Sequence, residues 1–237
     1  MSVAFIVSAD TEAHPIDKGL FAVLPGNRRE QADSYKRYCD KVRCYGAGLA
    51  AIAAASHFCR CAPEDIVLYT GNWKAPYAID GNGRKVCLSI SHSGSYILCS
   101  ADSEPCGADV ETIREIADPE KLADRFFTPS EAERIRSADT PGKNFIEYWT
   151  MKEAYVKYLG TGLSRRLDSF SCEYSAGAWT ISDSERGDAD SLLCSGFSGN
   201  GSCYSFVTKT PVTETIRLTL PELEQMLKNE KVLYGGR

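Results

Sequence analysis

Two acidic residues in a short extended segment could bind a divalent cation. The segment is Gly107-Ala-Asp-Val-Glu111. Side chains alternate along a strand, so Asp109 and Glu111 project from the same face. Two carboxylates placed in this way repel each other, and they are tolerated on an open surface or where a hard cation bridges them. A solvated strand face is the alternative interpretation of this pattern.

A third acidic residue, Glu153, lies on a predicted helix that also carries a lysine. In Trp149-Thr-Met-Lys-Glu-Ala-Tyr-Val-Lys157, residues 149, 153 and 157 recur every four positions and share one stripe of the helix. An ordinary surface ion pair between Glu153 and Lys157, worth a few tenths of a kcal/mol, explains the spacing equally well.

A histidine and a glycine-rich turn complete the set of candidate residues. His92 is one of three histidines, and it follows a predicted strand in Leu88-Ser-Ile-Ser-His-Ser-Gly94. A histidine at a strand end can donate a hydrogen bond to a phosphate, although a structural histidine is the alternative. Gly160-Thr-Gly-Leu163 can bring backbone close to a ligand, or simply end the helix.

The ordered set of segments resembles the 4′-phosphopantetheinyl transferases of the surfactin-synthetase type. That family shows Ser-His-Ser, G-x-D-x-E, F-F-x-x-x-E and W-x-x-K-E-x-x-x-K, followed by a glycine-rich turn. The corresponding segments here are Ser91-His92-Ser93, Gly107 to Glu111, Phe126-Phe127 with Glu131, Trp149 to Lys157, and Gly160 to Leu163. Arg28, Arg43 and Lys74 are similar to basic positions of the family, and the resemblance covers about residues 25 to 175.

The resemblance implies a reaction and a metal. The reaction moves phosphopantetheine from coenzyme A to a serine of an apo acyl or peptidyl carrier protein and releases 3′,5′-ADP. The metal is Mg²⁺, with Asp109, Glu111 and Glu153 as its ligands and the pyrophosphate of coenzyme A completing the shell. An all-oxygen set of this kind suits Mg²⁺.

The resemblance also implies which residues contact coenzyme A and which act in catalysis. The implied contacts to coenzyme A come from Arg28, Arg43, Lys74, Ser91, His92, Asp109 and Lys157. Lys157 is expected to neutralise charge on the departing 3′,5′-ADP. Glu153, Lys157 and His92 are the expected catalytic residues, and Glu153 is expected to take the serine proton. Glu131 and a metal-bound water are alternative bases.

Two other functions stay open at this stage. A protein that binds coenzyme A without turnover would have no need of the full set of carboxylates and Lys157. A metal-dependent phosphodiesterase would need further His or Asp ligands, and three histidines offer few.

A carrier protein would need a docking patch near the expected site. Its helices are acidic by the family resemblance, so a basic or apolar patch is expected. The candidate residues are Lys121, Arg125, Arg134 and Arg136, together with Phe126 and Phe127. The two phenylalanines are alternatively core residues.

The sequence predicts helices and strands that position these residues. Strands are predicted near residues 3–8, 66–70, 86–91, 96–100, 108–111, 171–174, 178–182 and 203–208. Helices are predicted over residues 33–58, 119–125, 129–137, 144–159 and 221–228.

This element order predicts an α+β protein made of two pseudo-duplicated α/β subdomains, with the active site at their interface. The expected limits are residues 1–106, which contact the nucleotide of coenzyme A, and residues 107–237, which carry the metal ligands and the catalytic helix.

Composition excludes several classes of protein. A net charge of -5 and an isoelectric point near 5.4 argue against nonspecific nucleic-acid binding. Ten cysteines in a chain of this length, mostly in apolar contexts, favour reduced thiols over a disulfide scaffold. No segment is apolar for long enough to span a bilayer. We therefore expect a cytoplasmic protein, monomeric because a duplicated chain can build its own cleft.

Overall fold

Two β-sheets, each covered by one long helix, form the framework of the protein. A computed structural model describes residues 1–71, 75–187 and 189–234. In these residues the strands are β1 (Ser2–Ser8), β2 (Val67–Thr70), β3 (Pro76–Ile79), β4 (Lys85–Ser93), β5 (Tyr96–Asp102), β6 (Cys106–Thr112), β7 (Ser171–Ser175), β8 (Ala178–Ser182), β9 (Leu193–Gly199), β10 (Ser202–Thr208) and β11 (Val212–Thr219). The helices are α1 (Lys18–Val23), α2 (Gly26–Ser34), α3 (Tyr38–Cys59), α4 (Pro119–Phe126), α5 (Pro129–Arg136), α6 (Pro141–Leu159) and α7 (Leu220–Tyr234).

The first sheet has the strand order β11-β1-β5-β4-β3-β2. All of its pairs are antiparallel except β1 with β11, which run parallel. Helix α3 covers it, because an alanine-rich stretch from Ala47 to Ala55 allows the helix to lie close to the strands. Leu220, Leu223 and Leu227 of α7 complete this first core.

The second sheet has the strand order β6-β10-β9-β8-β7, and helix α6 packs on it. The helix comes very close to β6 at Gly107. A methyl group added there would lie 1.8 Å from the carbonyl oxygen of Ala154, so only glycine allows this approach. This contact fixes the helix that carries Glu153 and Lys157 directly over the strand that carries Asp109 and Glu111.

The two sheets pack against each other where β6 lies beside β4 and β5. Ala4, Ile6 and Leu98 of the first sheet meet residues of β6 and β10 in a third apolar cluster. The members from the second sheet are Ala108, Val110, Tyr204 and Phe206. Because alternate residues of β6 enter this cluster, Asp109 and Glu111 are turned to the opposite face of the strand.

The predicted α+β class is confirmed, and the strand order of the two halves agrees with a duplication. The order β1-β5-β4-β3-β2 in the first sheet repeats as β6-β10-β9-β8-β7 in the second, each with a long helix after its first strand. Within the described residues, no helix has the length and apolar character needed to cross a membrane.

One predicted helix is wrong. The single helix predicted over residues 33–58 is two helices, because the backbone is extended at Tyr35 and again at Arg37. The predicted limits 1–106 and 107–237 stay a prediction. Strand β11 and helix α7 complete the first sheet and the first core.

Candidate functional site

A cavity of about 690 Å³ lies between α2, α3, the β2–β4 side of the first sheet and the end of α6. Four of the residues predicted to contact coenzyme A line it, namely Arg28, Ser91, His92 and Lys157. A smaller cavity of about 200 Å³ shares Lys157 and runs on toward Gly160 and Gly162. The glycine-rich turn both ends α6, with Gly160 in the left-handed conformation, and lines this second space.

His92 lines the larger cavity, and Arg43 lies beside it. The guanidinium of Arg43 donates to the carbonyl oxygen of Gly94 (2.8 Å) and to Asp40 (2.7 Å), which holds it beside the β4–β5 turn. His92 is exposed toward the cavity, yet the surrounding protein removes much of its hydration. This desolvation, with the positive charges of Arg43 and Lys157, lowers the pKa of His92 below its ordinary value. His92 is therefore neutral near pH 7.

Asp109 is the most buried acidic residue of the site, with 3% of its surface exposed. Its Oδ1 accepts hydrogen bonds from Lys157 Nζ (2.6 Å) and from Ser91 Oγ (2.6 Å). Its Oδ2 is buried and has no hydrogen-bond partner among the described residues. A buried carboxylate oxygen without a partner is costly, and a cation or another donor would satisfy it.

Glu111 lies two residues further along β6 on the same face. Its Oε2 accepts a hydrogen bond from Ser93 Oγ (2.8 Å) and a longer one from Arg114 (3.4 Å). It is more exposed than Asp109, with 26% of its side chain accessible to solvent.

Glu153 stands one helical turn before Lys157 and is half-buried. Desolvation raises the pKa of this carboxyl group, and the negative charges of Asp109 and Glu111 raise it further. Glu153 therefore lies within electrostatic range of Asp109 and Glu111. A carboxylate with a raised pKa is better suited to accept a proton near neutral pH.

The donor chemistry of the site fits Mg²⁺. Among the described residues, no three His, Cys, Asp or Glu side chains come close enough to form a metal site by themselves. Mg²⁺ is usually bound through one or two carboxylates together with substrate phosphates and water, and not by a cage of protein ligands. The unpartnered Oδ2 of Asp109 and the carboxylate of Glu153 meet that requirement.

Glu131, the alternative base predicted from the sequence, is not available for proton transfer. It is 1% exposed, and its Oε1 accepts from Lys152 Nζ (2.8 Å) and from the backbone N–H of Cys172 (2.6 Å). Its Oε2 caps helix α5 by accepting from the N–H of Thr128 (2.8 Å). The structure therefore contradicts a catalytic role for Glu131.

Lys152 is a residue that the sequence prediction missed. It is fully buried, and its ammonium also donates to the carbonyl oxygens of Leu167 (2.7 Å) and Phe170 (2.8 Å). These bonds attach α6 to α5 and to the segment before β7, on the side of the helix away from the cavity. The signal in the sequence was the position of this lysine directly before Glu153. A helix places Lys152 on a different face from residues 149, 153 and 157.

The predicted carrier-docking residues are divided between core and surface. Phe127 is buried in the core under α6, whereas Phe126 is partly buried and contacts the ring of Trp149. Arg125 lies over the ring of Phe126, with 5.0 Å between the guanidinium carbon and the ring centre. The other three basic side chains form surface ion pairs, Lys121 with Asp118, Arg134 with Glu173, and Arg136 with Asp124 and Glu133.

One predicted contact residue, Lys74, lies outside the described residues. The structure thus brings Arg28, Ser91, His92 and Lys157 to one cavity and connects Asp109 to it directly. Arg43 lies beside that cavity, and Glu111 and Glu153 lie near Asp109.

Comparison with known proteins confirms the resemblance predicted from the sequence. Residues 105–196 match the family model described as the 4′-phosphopantetheinyl transferase superfamily. A 4′-phosphopantetheinyl transferase of Bacillus subtilis is 41% identical over 86 residues, which are 35% of this chain and 38% of that protein. A putative 4′-phosphopantetheinyl transferase of Synechocystis sp. is 29% identical over 157 residues, or 65% of this chain and 64% of that protein. The alignments therefore span less than two thirds of either relative.

Two solved structures align with part of this chain. The holo-[acyl-carrier-protein] synthase of Thermotoga maritima covers 45% of this chain and 64% of its own, with 23% identity and a TM-score of 0.39. The Helicobacter pylori synthase in complex with coenzyme A covers 44% of this chain and 97% of its own, with 22% identity and a TM-score of 0.35.

Proposed function

We propose that the protein is a 4′-phosphopantetheinyl transferase that modifies a serine of an apo acyl or peptidyl carrier protein, with coenzyme A as donor. The observation that supports this most strongly is that residues from both halves of the chain meet at one cavity. His92 and Arg28 come from the first half of the chain, and Lys157 and Asp109 from the second. Such a cleft can hold a phosphorylated nucleotide beside a set of carboxylates.

The larger cavity would hold the nucleotide end of coenzyme A. Arg28, Arg43, Lys74, Ser91 and His92 are the proposed contacts to its phosphates or adenosine. His92, neutral in the free protein, would donate a hydrogen bond or accept a proton as a phosphate approaches. The smaller cavity, which Leu88 and Val156 make more apolar, would receive the pantetheine arm.

The proposed reaction is an in-line transfer at the β-phosphorus. The serine oxygen of the carrier forms a bond to that phosphorus, and the bond to the oxygen bridging the two phosphates breaks. The electron pair leaves with 3′,5′-ADP, whose new charge Lys157 would neutralise. Glu153 would take the proton from the serine hydroxyl.

Asp109, Glu111 and Glu153 are the proposed holders of Mg²⁺, with phosphate oxygens and water as the remaining ligands. When bound, the ion would neutralise charge on the pyrophosphate and help to orient it. Asp109 contributes fixed geometry, because Ser91 and Lys157 hold one of its oxygens.

We also propose that the protein acts as a monomer in the cytoplasm and does not bind nucleic acid. One chain supplies both sides of the cleft, and the net charge of -5 disfavours phosphate backbones. All ten cysteines are free thiols, as suits a reducing compartment.

Intact-mass analysis of a panel of apo carrier proteins, incubated with coenzyme A and Mg²⁺, tests the function. The expected result is a gain of one phosphopantetheinyl group on at least one carrier, with release of 3′,5′-ADP. Release without a carrier would indicate a phosphodiesterase, and binding without release a coenzyme A-binding protein.

Glu153→Gln should reduce the transfer rate by about 10²–10⁴-fold, because it removes the proposed base while keeping the size of the side chain. Glu147→Gln is the matched control, since Glu147 lies on the same helix in a surface pair with Lys143. Transfer at the wild-type rate by Glu153→Gln would refute the assignment.

A further inference from the structure

Three alternating serines of β4 connect the two sheets. Ser89, Ser91 and Ser93 lie on one face of the strand, and each contacts β6 of the other sheet through its hydroxyl group. Strands β4 and β6 are not paired through their backbones, because they belong to different sheets. Hydrogen bonds of the serine side chains therefore join β4 to β6, where backbone hydrogen bonds between the two strands are absent.

The first serine binds backbone only. Ser89 Oγ accepts from the N–H of Ala108 (2.8 Å) and lies 3.3 Å from its carbonyl oxygen. This contact fixes the distance between the strands without touching an acidic side chain.

The other two serines bind the two carboxylates. Ser91 Oγ donates to Oδ1 of Asp109 (2.6 Å), and Ser93 Oγ donates to Oε2 of Glu111 (2.8 Å). The N–H of Thr112 donates to Ser93 Oγ (3.0 Å), so the direction of the Ser93 hydroxyl is itself fixed.

These bonds leave one oxygen free on each carboxylate. Oδ2 of Asp109 has no partner among the described residues, and none is found there for Oε1 of Glu111. The terminal torsion of Asp or Glu is broad and roughly two-fold, so without the serines each carboxylate could rotate and exchange its oxygens.

We infer that Ser91 and Ser93 are positioning residues, which hold one oxygen of Asp109 and Glu111 so that the other oxygen of each faces the cation. The inference rests on the proposed function and gives Ser91 a role besides lining the cavity. It assigns a task to Ser93, whose hydroxyl acts through Glu111. Partners of this kind orient metal ligands, and their loss typically weakens metal affinity or activity by roughly 10–100-fold.

Metal binding can be measured apart from turnover with Mn²⁺, whose free form gives an electron paramagnetic resonance signal. Mn²⁺ is titrated into the protein with coenzyme A, and into coenzyme A alone as a blank. Ser93→Ala and Ser91→Ala are each expected to raise the Mn²⁺ dissociation constant by roughly 10-fold or more. Ser93→Thr, which keeps a hydroxyl, should restore most of the affinity.

Ser89→Ala is the matched control, since it removes a hydroxyl from the same face of the same strand but contacts no carboxylate. It should lower the melting temperature without changing the Mn²⁺ dissociation constant. An equal loss of Mn²⁺ affinity in Ser89→Ala would overturn the inference, because the serines would then act only by joining the sheets. Wild-type Mn²⁺ affinity in both carboxylate-binding variants would overturn it too.

The same proteins separate this inference from the proposed function. If the wild-type protein transfers phosphopantetheine and only the serine variants behave unexpectedly, the inference alone fails. If the wild-type protein transfers to no carrier, the proposed function fails, and the inference falls with it.

Discussion

The acidic residues of the site differ in environment, and this difference suggests a division of roles. Asp109 is buried against Lys157, whereas Glu153 has no hydrogen-bond partner among the described residues and a raised pKa. A carboxylate already held by two donors is suited to orient a ligand. One that lacks donors and is partly desolvated is suited to accept a proton. These contacts support the proposed roles of ligand for Asp109 and base for Glu153.

The lowered pKa of His92 predicts how the stability of the folded protein depends on pH, and this prediction can be tested without measuring turnover. Its pKa is lowered in the folded protein, so the unfolded chain binds a proton at this position more tightly. Above the ordinary value of 6.5, both states are neutral at His92 and the residue has no effect on the pH dependence. As the pH falls below 6.5, the unfolded state gains the proton first, and the folded state loses stability until it too is protonated.

We therefore expect His92→Gln to lose less thermal stability than the wild-type protein between pH 7 and pH 5. Melting temperatures at the two pH values, measured by circular dichroism, provide the check. An equal fall in both proteins would contradict the lowered pKa. Other titrating groups are common to both proteins and cancel in the comparison.

At the scale of elements, helix α6 is fixed from two sides. Gly107 allows it to approach β6, and the Lys152–Glu131 pair attaches it to α5. The helix therefore presents Glu153 and Lys157 at a fixed height above β6. A small shift of α6 would move both residues relative to Asp109.

Lys152→Met should destabilise the protein by about 3–5 kcal/mol, because it leaves the buried carboxylate of Glu131 without its counterion. The double variant Lys152→Met with Glu131→Gln should lose less than the sum of the two single changes, since it removes both charges. Urea unfolding of the four proteins measures the coupling. Strict additivity would show that the two side chains do not stabilise each other.

The sequence predicts elements well where their pattern is local. Helix α6 and strand β6 appear close to their predicted positions, because a stripe of apolar residues and an alternating segment are signals within one element. Strand β9 was missed, because Ser195-Gly-Phe-Ser-Gly199 lacks the β-branched residues that mark a strand. The break after α2 was missed because Tyr35, Lys36 and Arg37 do not interrupt a helical composition.

The candidate site was predicted in part for a similar reason. The acidic residues, His92 and Lys157 were found through ordered motifs, but their mutual contacts are set by the packing of two sheets. Ser93 was named only as part of a motif, and its bond to Glu111 depends on the register between β4 and β6. No local pattern contains that register, although the alternation of serines along β4 was a visible signal.

At the scale of the whole molecule, β11 and α7 connect the end of the described chain to its beginning. Strand β11 follows directly on β10 of the second sheet, yet it pairs along the full length of β1. The alternation of apolar Ile216 and Leu218 with polar Thr215, Arg217 and Thr219 could have indicated a strand. Its partner could not be found from the sequence, because β1 lies at the other end of the described chain.

Leu223→Ala tests whether the two sheets unfold together. Leu223 is fully buried in the first core, so its loss should cost about 2–5 kcal/mol. In a Trp73→Phe background, fluorescence reports only Trp149 and Trp179, which pack in the second core. We expect Leu223→Ala to lower the midpoint of unfolding by the same amount whether unfolding is followed by fluorescence or by far-ultraviolet circular dichroism.

Leu193→Ala is the matched control, because Leu193 is an exposed residue of the second sheet. It should change stability by less than about 0.5 kcal/mol. A circular dichroism midpoint that falls in Leu223→Ala while the fluorescence midpoint stays would show that the sheets unfold independently.

The pairing of β1 with β11 also has a consequence for the newborn chain. Strand β1 is buried almost throughout and leaves the ribosome long before residues 212–219 exist. At about 5–20 residues per second, one edge of β1 stays open on the order of ten seconds after β5 has been made. An open apolar edge is a template for other chains, so nascent protein that stalls before residue 212 should be captured by chaperones or aggregate.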